Sequence, residues 1–186
     1  MQGWGAQSWA QWDKDEKIAT FIAQMTSTPV MDSPLINEGG GIHVNGAGTG
    51  VATYRSINHT YSNSIAVLLT DTVQLGEGRN SSWSKEEVEK EVHAKLGTHT
   101  AVWLPRGLTR GRYYICVRAL NAFSRRNFSD YEEFGTRGHV DMVACFVSPT
   151  TVLYHDQRNP AHPDHALSQQ VRDIIVCGPC LPYFFT

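Results

Sequence analysis

The chain has 186 residues, 41% of them hydrophobic, which is the size and composition of one domain with a single core. Its net charge is −2 and its 16 lysine and arginine residues are scattered, so neither nucleic acid nor a membrane is an expected partner. No segment reaches the ~18 apolar residues that span a bilayer, and the N-terminal segment lacks a basic start and an apolar core, so a cytoplasmic protein is expected.

The first predicted elements are a helix and two strands. DKDEKIATFIAQM predicts an amphipathic helix, because apolar residues recur at helical spacing and Pro29 follows its end. GIHV alternates as a strand, and VLLTDTV from Val67 predicts a second strand. The glycines of NGAGTG join these strands instead of opening a helix, which favours a hairpin turn over a phosphate loop. The apolar helix residues are Ile18, Phe21, Ile22 and Met25.

A second helix, SKEEVEKEVHAKLG, begins with Ser84 and Glu87 at capping-box spacing and ends at Gly97. The short strand AVWLP follows it. Residues 41 to 104 therefore give the order strand, strand, helix, strand.

The same order begins again after residue 138. HVDMVACFV predicts a strand, Ser148 and Pro149 a turn, and TVLYH a second strand. DHALSQQVRDII predicts a helix with Leu167, Val171 and Ile174 on one face. The closing strand does not follow, because the chain continues as VCGPCLPYFFT.

His139 and Asp141 in GHVDMVACFV form the main candidate site, because residues two apart on a strand share a face. A histidine can move protons near neutral pH, and an aspartate can hold a cation. Metal binding is the alternative use of this pair, but no further ligand cluster at suitable spacing supports it. In EGGGIHVNG, Glu38 is either a functional carboxylate or a solvated loop residue, and His43 is expected to be a packed or surface strand residue.

The cysteines have their own alternatives. Four cysteines in an intracellular chain do not predict a disulfide framework. CGPC at 177–180 is similar to a thioredoxin redox motif, but such a motif needs a helix after it and only LPYFFT follows, so redox catalysis is disfavoured. Cys145 is expected to pack in the core.

Five segments resemble agmatine deiminase and its relatives, the bacterial-type peptidyl-arginine deiminases. They are WGAQ, NEGGGIHVNGAGT, LLTDTVQLGEGRN, WLPRGL and GTRGHVD, and the resemblance runs from about residue 3 to 175 with two breaks. It implies an α/β fold, a partial five-bladed propeller of strand-strand-helix-strand modules. It also implies a cofactor-free hydrolase that converts a small guanidine such as agmatine, or an arginine or peptidyl-arginine, to a ureido product.

The resemblance also implies residue roles. His139 would be the general acid and base, Asp141 would bind the guanidinium, and Glu38 would be a second site carboxylate. The family's nucleophilic cysteine and its first substrate-binding aspartate are expected to lie outside this chain, so the fragment is expected to be inactive alone. The alternative is a non-catalytic remnant that binds a guanidinium ligand or a partner chain.

Two departures from the family pattern complete the prediction. Gly135 and Arg137 stand where agmatine-specific relatives carry acidic residues, so Arg137 would favour a guanidine that bears a carboxylate. The stretches 51–66 and 111–129 interrupt the family-like runs and 176–186 follows them, which predicts two insertions and a tail, interpretable as translated introns.

Overall fold

The structure, a computed structural model, describes residues 13–47, 65–109, 136 and 138–177. The helices are α1 (Asp15–Met25), α2 (Asp71–Gln74), α3 (Lys85–Leu96) and α4 (His165–Cys177). The strands are β1 (Ile42–Val44), β2 (Ala66–Thr70), β3 (Thr100–Leu104), β4 (Ala144–Ser148) and β5 (Thr151–Tyr154). Short 3-10 turns occupy Gly39–Gly41 and Val140–Met142. The predicted α/β class is confirmed.

The first unit is a three-stranded sheet in the order β1-β2-β3 with α3 between β2 and β3 in sequence. β1 runs antiparallel to β2, and β3 runs parallel to β2 with Ala66 opposite Thr100. All five residues of β2 are buried, as expected for a strand covered on both faces. The predicted order strand, strand, helix, strand is confirmed.

Helix α3 begins and ends as its sequence predicts. The Ser84 hydroxyl accepts a hydrogen bond from the Glu87 amide at 3.2 Å, and the Glu87 carboxylate accepts one from the Ser84 amide at 2.8 Å. This capping box satisfies two amides that the first turn leaves unpaired. Gly97 ends the helix with φ 67°, a conformation that an L side chain rarely takes.

The core lies on both faces of the first sheet. On one face, Val67 and Leu69 pack with Val88 and Val92 of α3. On the other face, Leu68 packs against the second unit. The second unit's buried residues are Val140, Val143, Ala144, Val152, Leu167, Val171 and Ile175.

The second unit consists of β4, β5 and α4. β4 and β5 form an antiparallel hairpin in which Cys145 lies opposite Leu153. Helix α4 contacts β5 of its own unit and β3 of the first unit, so it packs against both sheets. The prediction of a strand, strand, helix repeat is confirmed, with Leu167 and Val171 buried and Ile174 half-buried on the same helix.

Two predicted strands are shorter than the sequence pattern indicated. The strand from Val67 ends at Thr70, because Asp71 begins α2, and an acidic residue favours the first turn of a helix. HVDMVACFV begins as the 3-10 turn Val140–Met142, and only Ala144–Ser148 is a strand. Gly138, with φ 105°, turns the chain before this segment, so His139 and Asp141 do not lie on a strand.

Helix α1 forms where the apolar spacing predicts it. Its four large apolar residues are all more than half exposed within the part of the chain that the structure describes: Ile18, Phe21, Ile22 and Met25. The amphipathic pattern therefore identified the helix, while its apolar face is not part of either core cluster. None of the helices in the described ranges is long and apolar enough to cross a membrane.

The predicted insertions lie mostly outside the described residues. Of 51–66, only Ile65 and Ala66 are described, and Ala66 is the first residue of β2. The stretch 111–129 lies entirely outside. Of the predicted tail, Val176 and Cys177 belong to the last turn of α4 and the remainder lies outside.

Candidate active site

Glu38 lies on the loop before β1 and immediately precedes the 3-10 turn Gly39–Gly41. Its side chain is only 9% exposed. Both of its carboxylate oxygens accept a hydrogen bond from Arg79 Nε at 3.0 Å, and Oε2 lies 3.2 Å from His139 Nε2. Glu38 is therefore a buried, paired carboxylate, and the alternative of a solvated loop residue is wrong.

The surroundings of Glu38 decide its ionisation. Burial alone would raise the pKa of this carboxyl, because a buried charge loses its hydration. Hydrogen bonds from His139 and Arg79, together with the charges of these groups, outweigh burial and hold the pKa below its ordinary value of 4.5. The carboxyl is ionised at neutral pH and faces His139 as an acceptor.

Arg79 is the residue that the sequence did not single out. Its side chain is fully buried, and Nη2 donates to the Thr136 carbonyl oxygen at 3.0 Å. The neighbouring Asn80 fixes the loop before Glu38, since its side chain both accepts from the Ile36 amide and donates to the Ile36 carbonyl. The only signal in the sequence was the presence of both residues in the family-like segment LLTDTVQLGEGRN.

His139 and Asp141 converge on Gly40. A Cβ atom at Gly40 would lie 2.8 Å from Asp141 Oδ2 and still closer to His139 Nδ1. The predicted convergence of these two side chains is correct, although its predicted cause, a shared strand face, is wrong. They meet because a 3-10 turn follows His139 and because position 40 has no side chain.

The backbone before His139 is held tightly. Gly138 packs against Gly107 of the loop after β3, and a Cβ on either glycine would overlap the other's backbone. Thr70, the last residue of β2, donates its hydroxyl to the Gly138 carbonyl at 2.9 Å in a buried position. The end of β2 and the loop after β3 therefore position His139.

Asp164, just before α4, fixes the same loop after β3. Its Oδ1 accepts hydrogen bonds from the Thr109 amide, the Thr109 hydroxyl and Arg106 Nη1, at 2.9, 2.6 and 3.0 Å. Burial alone would raise the pKa of Asp164, but these bonds and the Arg106 charge hold it below 3.8. Asp164 thus ties α4 to the segment that contacts Gly138.

The site therefore combines a buried chain of hydrogen bonds with an open carboxylate. Arg79, Glu38 and His139 form the chain, in which the His139 side chain is 12% exposed. Asp141 is exposed, and its carboxylate has no hydrogen-bond or ion-pair partner among the described residues. Such a carboxylate can accept paired hydrogen bonds from a planar cation, and the adjacent imidazole can give or take a proton.

Three other predicted residues lie away from this cluster. His43 is a packed strand residue, as predicted: its Nδ1 accepts from the Phe146 amide at 3.3 Å, and the two rings are 6.0 Å apart. β1 and β2 pair antiparallel and Gly46 takes φ 69° after β1, but Gly48 and Gly50 lie outside the described residues, so the hairpin turn stays a prediction. Cys145 is half-buried opposite the exposed Leu153, so the prediction of core packing is wrong: the register turns it outward.

Some predictions lie beyond what the structure describes. Gly135 and Arg137 are outside the described residues, as are residues 178–180 of the CGPC motif. Within the described part of the chain, no group of three or more histidine, cysteine, aspartate or glutamate residues could hold a metal ion.

Comparisons with known proteins agree with the motifs. The model of the Porphyromonas-type peptidyl-arginine deiminase family matches residues 1–128 and 112–176. A Streptomyces coelicolor protein named as a candidate agmatine deiminase is 49% identical over 175 residues, which are 94% of this chain and 41% of that protein. The agmatine deiminase of Medicago truncatula is 27% identical over 162 residues, 87% of this chain and 33% of that protein.

Solved structures share the fold. The agmatine deiminase of Enterococcus faecalis superimposes with a TM-score of 0.65 at 23% identity, covering 99% of this chain and 42% of that one. A substrate-bound agmatine deiminase of C. jejuni gives 0.64 at 16% identity, covering 95% and 41%. The chain spans about two fifths of the length of these proteins. The family match over nearly the whole chain shows that it belongs to the Porphyromonas-type peptidyl-arginine deiminase family.

Proposed function

We propose that this chain contains the proton-transfer and guanidinium-binding groups of a hydrolytic deiminase of guanidino compounds. The candidate reactions are agmatine to N-carbamoylputrescine and ammonia, and arginine or peptidyl-arginine to citrulline. The observation that carries the proposal is the convergence of His139 and Asp141 on Gly40, with Glu38 behind His139.

The residue types suit this chemistry. A guanidinium is a planar cation at all physiological pH, and Asp141 can accept two of its N–H bonds side by side. In the proposed reaction a cysteine thiolate attacks the central carbon, the carbon–nitrogen bond breaks, and ammonia leaves with a proton from His139. Water then attacks the same carbon and passes a proton to His139 as the carbon–sulfur bond breaks. Glu38 keeps the His139 ring oriented throughout.

We assign the nucleophile to no cysteine side chain that the structure describes. Cys145 is a poor candidate, because it lies in β4 opposite the exposed Leu153, on the outward face of the hairpin. We therefore propose that the chain alone binds a guanidine without turning it over. The outward position of Cys145 favours the second candidate function, a non-catalytic remnant that binds a guanidinium ligand or a partner chain.

We also propose that the two units are modules of a partial five-bladed propeller. The repeated strand, strand, helix order and the fold shared with solved agmatine deiminases support this. We further propose that 51–66 and 111–129 are insertions and that 176–186 is a tail, although the family match includes 51–66. The two parts of the family match overlap at 112–128, within the second proposed insertion.

Arg137 bears on which guanidine is the substrate. Arg137 precedes the GHVD segment, and a cation there would repel the distal amine of agmatine and attract a carboxylate. We propose that arginine or a peptidyl arginine binds more tightly than agmatine. A full-length relative with the same GTRGHVD segment, assayed for turnover of both guanidines, tests this, and a clear preference for agmatine contradicts it.

Calorimetric titration of the full chain tests the site itself. Arginine and agmatine are the ligands, and butylamine, which lacks the guanidinium, is the control ligand. Loss of a charge-assisted hydrogen bond costs about 1.5–3 kcal/mol, so Asp141→Asn is expected to weaken binding by roughly 10- to 100-fold. The matched control is Asp156→Asn, an exposed carboxylate in the loop after β5. Equal affinity of both variants and the unmodified chain would refute the assignment of Asp141.

A further inference from the structure

We propose that Arg79 is a positioning residue that commits Glu38 to His139 and leaves Asp141 as the carboxylate for a substrate guanidinium. This rests on the proposed function of the site. Neither the family-like motif nor the roles implied by the resemblance assign a task to Arg79.

The geometry of Arg79 supports this role from two sides. Nε lies 3.0 Å from each oxygen of Glu38, so one N–H group spans the carboxylate. Nη2 donates to the Thr136 carbonyl oxygen, and the Thr136 hydroxyl oxygen lies 3.5 Å from the His139 amide nitrogen. Arg79 therefore connects the loop that carries Glu38 to the segment that carries His139, while its own side chain is fully buried.

The charged groups around Glu38 determine which carboxylate is free to bind a substrate cation. In the described part of the chain, the charged and titratable groups around Glu38 are Arg79, His139 and, beyond Gly40, Asp141. Arg79 is itself a guanidinium, and its Nε already bonds both oxygens of Glu38. Asp141, which is exposed and has no described partner, is left to bind the substrate cation.

Removing Arg79 would leave Glu38 as a buried carboxylate with His139 as its remaining partner. A buried carboxylate that loses an adjacent arginine takes up its proton at higher pH. A protonated Glu38 would no longer present a charged acceptor to His139 and would instead become a hydrogen-bond donor. The positioning role therefore predicts an observable change at Glu38 that a change of packing alone does not produce.

The test is a carbon-13 NMR titration of the Glu38 carboxyl in the full chain, with the signal assigned by its loss in Glu38→Gln. We expect the midpoint to rise by about one pH unit or more in Arg79→Gln and to recover in part in Arg79→Lys, which keeps the charge. Arg158→Gln, which removes the same charge from an exposed ion pair with Asp156, is expected to leave the midpoint unchanged. A folded Arg79→Gln chain with the original midpoint would overturn the proposal.

A second measurement applies if Arg79→Gln does not fold, as judged by circular dichroism. In the unmodified chain the Nε–H signal of Arg79 is expected to shift with the same midpoint as the Glu38 carboxyl, and separate midpoints would overturn the proposal. Neither titration uses a ligand. A failure of guanidine binding therefore contradicts the proposed function, whereas a failure of these titrations contradicts the role of Arg79.

Discussion

Gly40→Ala should damage the candidate site while leaving the rest of the fold in place. The added Cβ would lie 2.8 Å from Asp141 Oδ2 and closer still to His139 Nδ1, whereas ordinary contacts need about 3.5 Å. The two side chains must therefore move by roughly 1 Å. A displacement of this size costs about 10²-fold in a site that orients reacting groups. For ligand binding by this chain we expect arginine to bind at least tenfold more weakly.

The neighbouring Gly39 provides the matched control, because a Cβ at Gly39 has no other atom within 4 Å. Both glycines lie in the same 3-10 turn and neither has a positive φ, so the two alanine variants differ mainly in what the methyl group meets. Calorimetry measures the affinity, and urea unfolding measures the overpacking cost, which is about 1–3 kcal/mol for Gly40→Ala. Affinities of Gly40→Ala and Gly39→Ala that agree within twofold would refute the placement of the site at Gly40.

Three further predictions follow from the same structure. Thr70→Val removes the hydroxyl that bonds the Gly138 carbonyl and leaves a buried acceptor unpaired. Urea unfolding should therefore show that the free energy of unfolding falls by about 1–3 kcal/mol, and a fall below about 0.5 kcal/mol would contradict this. Because the folded pKa of Asp164 is below 3.8, its contribution to the unfolding free energy is present above that pH and is lost as the pH falls through the folded pKa. Asp164→Asn should therefore flatten the acid side of the stability curve, while Asp156→Asn should not, and parallel curves would count against the pairing of Asp164. Chloroacetamidine should alkylate Cys145 at the same rate with and without arginine, and protection by arginine would place Cys145 in the site.

The elements with strong local signals could be predicted from the sequence. The capping box at Ser84 and the left-handed glycine at Gly97 fixed both ends of α3, because these contacts span only a few residues. The repeated strand, strand, helix order followed from such signals. Where the pattern was purely apolar, as in HVDMVACFV, alternation could not reveal that Gly138 turns the chain before His139.

The candidate site could be predicted only in part. His139, Asp141 and Glu38 were identified by residue type and resemblance, and the structure brings all three together. Arg79 was missed because its partner Glu38 is 41 residues away, and a contact at that separation leaves no local pattern in the sequence. The outward direction of Cys145 depends on the pairing register of β4 with β5, which the sequence does not specify.

The most direct test of a guanidinium site at Gly40 is an NMR titration of the isotope-labelled full chain with arginine. The ligand's δ-methylene protons, next to the guanidinium, are expected to show nuclear Overhauser effects to the His139 ring, with shifts at the amides of residues 39–41. These effects should disappear in Asp141→Asn. Saturable shifts confined to another surface, such as the exposed face of α1, or no saturable shifts at all, would contradict the guanidinium site.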